Sequence, residues 1–147
     1  MDITDDTPPQ ELAEACAAAL WADDRASREM GIALDRVGPG EAVMSMTVRE
    51  EMTNGHGTAH GGFIFALADS AFAYACNGSN QRSVAQHCSI TYLAPAAAGD
   101  RLTATAVERA VAGRSGIYDV TVADQTGRVV AEFRGHSRTI KGTLLGA

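Results

Sequence analysis

The chain has 147 residues, of which 46% are hydrophobic and 20% charged, and its formal net charge is -6. This length and balance are typical of one globular domain and argue against a disordered chain. The negative charge disfavours nucleic acid as the main partner, because a duplex-binding protein needs a basic surface. We therefore expect a single domain over residues 1–147, with residues 1–7 flexible.

The cysteines and the N-terminus indicate a reducing compartment. The three cysteines are widely spaced and form no CxxC pair, which suggests neither a disulfide framework nor a zinc site. The start, MDITDDTPPQ, is acidic and lacks the basic and apolar regions of a secretory signal. We expect a cytoplasmic protein in which Cys76 and Cys88, both in apolar contexts, are inert core thiols.

An N-terminal helix is predicted after Thr7. The residues Thr7-Pro8-Pro9-Gln10 resemble a capping box with proline at the first helical position. Apolar residues then recur at helical spacing and predict one buried stripe: Leu12, Ala15, Cys16, Ala19 and Leu20. Gly31 is expected to end this element.

Two strands are predicted next, because apolar and polar residues alternate with the period of a half-buried strand. The alternating apolar positions of the longer strand are Ala42, Met44, Met46 and Val48. A shorter strand is indicated before it by Ile32, Leu34 and Val37. Gly38, Pro39 and Gly40 between the two strands predict a turn.

The central stretch, residues 54–78, organises the chain: NGHGTAHGGFIFALADSAFAYACNG. A loop rich in glycine and histidine leads into an almost wholly apolar segment whose one ionisable residue is Asp69. Such a helix is normally buried, and this one is too short and too interrupted to span a bilayer. It predicts the central helix of a protein core, with a carboxylate where burial is costly.

Four more strands are predicted after this helix, joined by short turns and ending at Pro95, Gly113 and Gly127. Their apolar alternating positions are Cys88, Ile90, Tyr92, Leu102, Ala104, Ala106, Tyr118, Val120, Val122, Val129, Ala131 and Phe133. A curved antiparallel sheet wrapped around the one long helix satisfies this order of elements. Since one such sheet leaves the far side of the helix uncovered, we expect dimers.

The spacing between Gly61 and Asp69 constrains any chemistry. Unpaired N–H groups at a helix start can polarise a carbonyl, and a carboxylate that attacks it or activates water must lie within a few ångströms. Eight residues of helix separate these two positions by about 12 Å. If both act on one atom, the carboxylate must come from the antiparallel helix of a second subunit, with the site shared across a two-fold axis.

Structural roles are open for the same residues. Asp69 could simply be hydrogen-bonded to neighbouring groups. Gly61 and Gly62 could only let helix and sheet approach closely, and His60 could be a packing residue of the loop. His56 and His60 have i, i+4 spacing, but Gly55 and Gly57 predict a loop there, so we expect no metal site.

The residues Asn54, His60-Gly61-Gly62 and Asp69, at this spacing, resemble the signature of hotdog-fold acyl-CoA thioesterases. The later segment GRSGIYDVTVADQTGRVVAEFRGHSR is similar to the C-terminal half of the phenylacetic-acid-degradation subgroup of that family. Together the resemblance extends from about residue 12 to residue 142. It implies an α+β hotdog fold, with a long central helix wrapped by a curved antiparallel β-sheet and an added N-terminal helix.

The implied activity is hydrolysis of aryl-acyl-CoA thioesters, such as phenylacetyl-CoA and hydroxyphenylacetyl-CoA, to the free acid and coenzyme A. By position, the Gly61 N–H polarises the thioester carbonyl, His60 and Asn54 shape its pocket, and Asp69 of the partner subunit is nucleophile or general base. No cofactor is implied, because coenzyme A is part of the substrate. We expect dimers with shared sites that pair into tetramers.

Some relatives orient water with a serine on the strand after the helix, and the corresponding place here is near Ala85. Gln86 or Ser89 would have to substitute, or Asp69 attacks directly. The aryl pocket is expected among the aromatic residues of the central helix: Phe63, Phe65, Phe72 and Tyr74.

Coenzyme A also carries phosphates, which an acidic protein must meet with local positive charge. The candidates lie on the last predicted strands and turns: Arg109, Arg114, Arg134, Arg138 and Lys141. Gly113 and Gly116 would let a ligand approach the backbone, and Gly62 is a further candidate for substrate binding.

Two other functions are possible on the same fold. One is an enoyl-CoA hydratase or dehydratase, which usually pairs a histidine with an acid; here His60 precedes the helix and Asp69 lies deep within it. The other is a non-catalytic acyl-CoA-binding module. A mere binder has no reason to keep a desolvated carboxylate facing a thioester, which favours hydrolysis.

Overall fold

The computed structural model describes residues 2–146, which form a six-stranded antiparallel sheet with one long helix packed on its inner face. The helices are Pro9–Asp23 (α1), Arg25–Glu29 (α2) and Gly61–Cys76 (α3). The strands are Ala33–Gly38 (β1), Glu41–Thr47 (β2), Ser83–Tyr92 (β3), Arg101–Ala112 (β4), Ser115–Ala123 (β5) and Val129–Thr139 (β6). Their order in the sheet is β1-β2-β4-β5-β6-β3, so β1 and β3 are the edges.

The alternation of apolar residues correctly predicted the buried face of the sheet. The inward positions of β2, β4 and β5 are almost wholly buried: Ala42, Met44, Met46, Leu102, Ala104, Ala106, Tyr118, Val120 and Val122. Strand β6 departs from the prediction, because its pairing with β5 shifts register between Val122 and Ala123. The shift turns Val130 into the core, fully buried, and leaves Val129 only half-buried, so the prediction for Val129 was wrong.

The N-terminal helix begins later than predicted and is interrupted. Pro8 adopts an extended conformation (φ -56°, ψ 139°), because a residue before proline disfavours the helical region, so Pro9 is the first helical residue. Thr7 does not cap the helix; its hydroxyl accepts from Thr4 N instead (2.9 Å). The chain breaks at Asp24, whose carboxylate caps α2 by accepting from Ser27 N (3.0 Å).

The buried stripe of α1 is also displaced from the predicted one. Its centre consists of Ala13, Cys16 and Ala17, whereas Ala15 and Ala19 are half-buried. Gly31 does end the helical region, with a left-handed φ of 70°.

Helix α3 has the bounds expected from its sequence and packs by aromatic contacts against the middle of the sheet. The Phe72 ring lies 5.6 Å from the ring of Tyr118 and 5.8 Å from that of Phe133, centroid to centroid. The ring of Phe65 lies 5.4 Å from that of Phe133. Phe72 and Tyr74 are buried in this core, so they do not line an open aryl pocket.

One side of α3 and the neighbouring edge of the sheet stay exposed. Positions three or four residues apart form a stripe that is not fully buried: Gly62, Phe65, Ala66, Asp69 and Ala73. Strand β3 pairs with β6 only, and within residues 2–146 no strand covers its other edge. Val84 is 47% exposed and Leu93, just past the strand, 59%. An open edge with exposed apolar side chains is suited to pairing with another chain.

The contact between Gly135 and Phe72 can be tested by substitution. A Cβ atom at Gly135 would lie 2.7 Å from the Phe72 ring, which is fully enclosed. We expect Gly135→Ala to lower the free energy of unfolding by about 1–3 kcal/mol, as overpacking a core does. Urea denaturation at one fixed protein concentration measures this change.

The matched control is Gly55→Ala, because an added Cβ there meets no atom within 4 Å. We expect this variant to stay within about 0.5 kcal/mol of the parent protein. Equal losses in the two variants would show that the Phe72 contact is not what requires glycine at residue 135.

Candidate active site

The loop before α3 is pinned to the body of the protein, which fixes where the helix begins. His60 N donates to Met52 O (2.8 Å), and Ala59 N donates to Ala96 O (2.8 Å). His60 then caps the helix, since its Nδ1 accepts from Gly62 N (2.9 Å). An accepting Nδ1 carries no proton, so this contact places the proton of the neutral imidazole on Nε2.

Both glycines at the start of α3 are required by close neighbours. A Cβ atom at Gly61 would lie 2.9 Å from the ring of Tyr92, and one at Gly62 would lie 3.1 Å from His60 Nδ1. The idea that these glycines let helix and sheet approach closely holds for Gly61, which faces Tyr92 of β3, whereas the close neighbour of Gly62 is the His60 ring that caps the helix. Tyr92 also donates its hydroxyl to Gly61 O (2.8 Å). Sequence reasoning placed Tyr92 on a strand but gave no sign of this contact, which depends on the tertiary fold.

One N–H group at the helix start is left without a partner. Gly62 N is capped by His60, and Phe63 N donates to His60 O (3.0 Å). Among the hydrogen bonds of residues 2–146, none uses the N–H of Gly61. The donor borders a cleft of about 360 Å³ whose lining residues are Asn54, Thr58, Ala59, Gly61, Ile64, Tyr92, Leu93, Ala94, Pro95 and Ala96. An unpaired donor at the positive end of a helix is suited to binding a carbonyl oxygen that gains negative charge.

Asn54 lies in the same cleft and holds its loop in shape. Its Oδ1 accepts from His56 N (2.9 Å), Thr58 N (3.3 Å) and the Thr58 hydroxyl (3.3 Å). The side-chain amide Nδ2 donates to no group within the described part of the chain. Asn54 and Gly61 thus line one cleft, with the Asn54 NH₂ group and the Gly61 N–H both unused within the described residues.

Asp69 is not near that cleft. It lies on the same helix as Gly61, eight residues further on, a separation of about 12 Å. The carboxylate is half-buried, and burial raises its pKa above the ordinary value. From residue 2 to residue 146 it has neither a hydrogen bond nor an ion pair, so the structural partner considered for it is not found there.

The residues considered as helpers of Asp69 are placed less favourably. Ser89 lies on the outer face of the sheet, opposite Arg134 of β6 and bordering the groove with Asp119, whereas α3 covers the inner face. It therefore cannot orient water for Asp69 of its own chain. Gln86 lies in the irregular part of β3, where pairing shifts between Ala85 and His87.

The five basic candidates for phosphate binding separate into two groups. Arg109 and Arg134 both bind Asp119 on the outer face, with Nε–O distances of 2.8 and 2.6 Å, and they hold the pKa of Asp119 down to about 2. Arg114, at the β4–β5 turn, donates to Thr139 O (3.2 Å), and Arg138 pairs with Ser115 at the same end of the sheet.

A groove of about 440 Å³ adjoins the β4–β5 turn, just beyond the C-terminal end of α3. Its lining residues are Cys76, Ser79, Gln81, Ser83, Glu108, Val111, Gly113, Arg114, Ser115, Gly116, Tyr118, Ser137 and Thr139. Gly113 and Gly116 both line this groove, but the close neighbours of Gly116 are Ser137 and Tyr118 rather than a ligand, and Gly113 has the positive φ (60°) of a turn. Lys141 lies just after β6, whose last residue, Thr139, accepts from Arg114 at this end of the sheet.

Burial raises the pKa of Cys76 to about 12 and also raises that of Cys88, which fits inert thiols. No group of three or more His, Cys, Asp or Glu side chains in residues 2–146 is arranged to hold a metal ion. None of the described helices is long and apolar enough to cross a membrane.

Known proteins similar to this chain include thioesterases, which agrees with a helix start suited to binding a carbonyl oxygen. A sequence profile of the Thioesterase superfamily matches residues 56–131. The acyl-coenzyme A thioesterase PaaI of Escherichia coli is 45% identical over 130 residues, 88% of this chain and 93% of that protein. A putative esterase of Deinococcus radiodurans is 36% identical over 107 residues, 72% of this chain and 73% of that protein.

Solved structures agree. The E. coli PaaI protein from the phenylacetic acid degradation operon matches with a TM-score of 0.91 at 43% identity, covering 92% of this chain and 99% of that one. A Thermus thermophilus protein matches with a TM-score of 0.77 at 42% identity, covering 80% of this chain and 98% of that one. The predicted hotdog fold and the predicted enzyme class, a thioester hydrolase, are confirmed: the chain belongs to the thioesterase superfamily.

Proposed function

We propose that this protein is an acyl-CoA thioesterase that hydrolyses aryl-acyl-CoA substrates, such as phenylacetyl-CoA and hydroxyphenylacetyl-CoA, in phenylacetate degradation. The similarity to E. coli PaaI, an acyl-coenzyme A thioesterase from the phenylacetic acid degradation operon, supports the substrate class. The observation that carries the proposal is the unpaired Gly61 N–H, which borders a cleft beside Asn54. An uncommitted donor at a helix start supplies what hydrolysis of a thioester needs, stabilisation of a developing oxyanion.

In this scheme the thioester carbonyl oxygen accepts from Gly61 N–H and from the free Nδ2 of Asn54. The Asp69 carboxylate then attacks the carbonyl carbon, the C–S bond breaks to release coenzyme A, and water hydrolyses the mixed anhydride. Alternatively, Asp69 takes a proton from water, and the hydroxide attacks while the thiolate leaves. Burial suits either role, because a carboxylate with a raised pKa is a stronger base and nucleophile.

Asp69 acts on the Gly61 of a second subunit, since about 12 Å of helix separates it from its own. The partly buried stripe of α3 and the open edge of β3 form one surface that a second copy could cover. Antiparallel pairing of two β3 strands about a two-fold axis would place Ser83 of one chain beside Tyr92 of the other. The groove at Arg114 of one subunit would then adjoin the helix start of the other. Two such dimers would pair into a tetramer.

The groove beyond the end of α3 is the proposed channel for coenzyme A, with Arg114, Arg138 and Lys141 meeting the phosphates. Arg109 and Arg134 are not assigned to this channel, because both bind Asp119 on the outer face of the sheet and neither lines the groove. The chemistry needs only side chains, backbone and water. A cytoplasmic location suits three free cysteines, since thiols persist in a reducing compartment.

The arrangement of His60 disfavours a hydratase. The Nδ1 atom is committed to the helix cap, and within residues 2–146 the ring has no acidic partner. A non-catalytic binding module is also less suitable, because a half-buried and unpaired Asp69 costs stability that mere binding would not require.

The role of Asp69 predicts opposite effects on activity and stability. We expect Asp69→Asn to lower kcat for phenylacetyl-CoA by orders of magnitude, because the amide is neither a base nor a nucleophile. At neutral pH the variant should melt at a higher temperature. Since burial raises the folded-state pKa, the charged carboxylate destabilises the fold at pH values above that pKa.

The stability difference should shrink as the pH falls through the raised folded-state pKa, and it should vanish below the unfolded-state pKa of aspartate, where the carboxyl is protonated in both states. Melting curves from pH 3 to pH 8, about the range in which an aspartate titrates, check the sign. Retained turnover in Asp69→Asn would remove the carboxylate from the mechanism.

Sharing of sites between subunits predicts complementation. Asp69→Asn and Gly61→Ala should each be nearly inactive, the second because its methyl group meets the Tyr92 ring. A mixed dimer has one site with a native helix start and a native carboxylate, so random mixing should restore about a quarter of wild-type activity. Activity that stays at the sum of the separate variants after refolding together would indicate single-chain sites.

The proposed phosphate contact predicts a dependence on the nucleotide part of the substrate. We expect Arg114→Ala to raise KM for phenylacetyl-CoA by about three- to tenfold, as loss of a charge-assisted contact does. The KM for the phenylacetyl thioester of N-acetylcysteamine, which has no phosphates, should not change. Arg109→Ala is the matched control and should leave both values alone, while equal effects of Arg114→Ala on both substrates would exclude a phosphate contact.

A further inference from the structure

Tyr92 is the last residue of β3, yet its contacts are with the first residue of α3. Its hydroxyl donates to Gly61 O (2.8 Å), and its ring occupies the space that a side chain at Gly61 would need. The ring also borders the cleft of the proposed site, and Tyr92 is 48% exposed. It is therefore the side chain of β3 that links the sheet to the helix start.

The two peptide groups on either side of the Gly61 Cα are held by separate hydrogen bonds. In the peptide that follows, the carbonyl accepts from Tyr92 and the N–H of Gly62 donates to His60 Nδ1 (2.9 Å). In the peptide that precedes, the carbonyl of His60 accepts from Phe63 N (3.0 Å). The remaining group of the two peptides is the Gly61 N–H, which no acceptor within the described residues engages.

This pattern fixes the direction of the free donor. Glycine has more conformational freedom than any other residue, so the φ and ψ angles of Gly61 are set by what holds its neighbouring peptides. A donor that is already aimed at the oxyanion costs no reorganisation during the reaction. Without the Tyr92 hydroxyl, the peptide between Gly61 and Gly62 would be held only by the hydrogen bond from Gly62 N to His60 Nδ1.

We propose that Tyr92 is a positioning residue for the reaction: its hydroxyl anchors the Gly61 carbonyl and so aims the Gly61 N–H at the thioester carbonyl oxygen. This inference rests on the thioesterase function proposed above. The effect on the reaction is attributed to the Tyr92 hydroxyl alone, and not to any contact of the Tyr92 ring with substrate. Burial raises the pKa of Tyr92, so the hydroxyl stays protonated and able to donate.

The test is Tyr92→Phe, which keeps the ring and removes the hydroxyl. We expect kcat/KM for phenylacetyl-CoA to fall about three- to tenfold, the worth of one hydrogen bond, because the Gly61 N–H meets the carbonyl oxygen in the bound substrate and in the transition state. The decisive readout is the binding of two unreactive analogues. One replaces the thioester sulfur by CH₂ and keeps the carbonyl; the other is a thioether that lacks the carbonyl oxygen.

Tyr92→Phe should weaken binding of the ketone analogue by a similar factor and leave the thioether unchanged, because only the ketone accepts from Gly61 N–H. The matched control is Tyr74→Phe, which removes the hydroxyl of a buried tyrosine on α3 itself, one that donates to Asp24 (3.0 Å) and lies away from the helix start. We expect this control to lower the melting temperature but keep kcat/KM within about twofold.

Unchanged kcat/KM and unchanged ketone affinity in Tyr92→Phe would overturn the inference, as would equal losses for both analogues. Each of these results leaves the thioesterase function standing if the wild-type protein hydrolyses phenylacetyl-CoA. A wild-type protein without that activity would instead refute the proposed function itself.

Discussion

The proposed chemistry depends on which N–H groups at the start of α3 find a hydrogen-bond partner and which stay free. The first N–H groups of a helix have no carbonyl of their own to bind, so each must find a partner or stay free. Here His60 takes one, the carbonyl of His60 takes another, and the N–H of Gly61 remains. The loop before the helix is pinned to Met52 and Ala96, which keeps this free donor at a fixed place in the cleft.

The same helix carries a cost at Asp69, where burial disfavours the charged form and the described residues supply no compensating partner. A fold that tolerates such a carboxylate while leaving one face of the helix and one edge of the sheet uncovered is consistent with a second subunit completing the site. Helix geometry alone separates the donor from the acid, and no rearrangement of side chains within one chain could bring them together.

The sequence predicted those parts of the structure that depend on local patterns. The sequence pattern correctly predicted the inward residues of β2, β4 and β5, the bounds of α3 and the family motif. Hydrophobic period and local composition determine these features. The break at Asp24 comes from a local cap on Ser27 N that the apolar spacing did not indicate, whereas the inward turn of Val130 and the division of the arginines depend on pairings between distant segments. Tyr92 is the clearest case, since nothing in residues 83–92 indicates that its hydroxyl reaches a carbonyl of residue 61.

The position of Tyr92 on an edge strand has a consequence for control of the protein. Strand β3 is hydrogen-bonded to one neighbour only, β6. In an isolated chain, the end of β3 that carries Tyr92 should therefore fluctuate more readily than the central strands of the sheet. A second copy bound along that edge would damp these fluctuations and help to keep the Tyr92 hydroxyl on the Gly61 carbonyl. Assembly and catalytic competence would then rise and fall together with subunit concentration, without any separate regulatory domain.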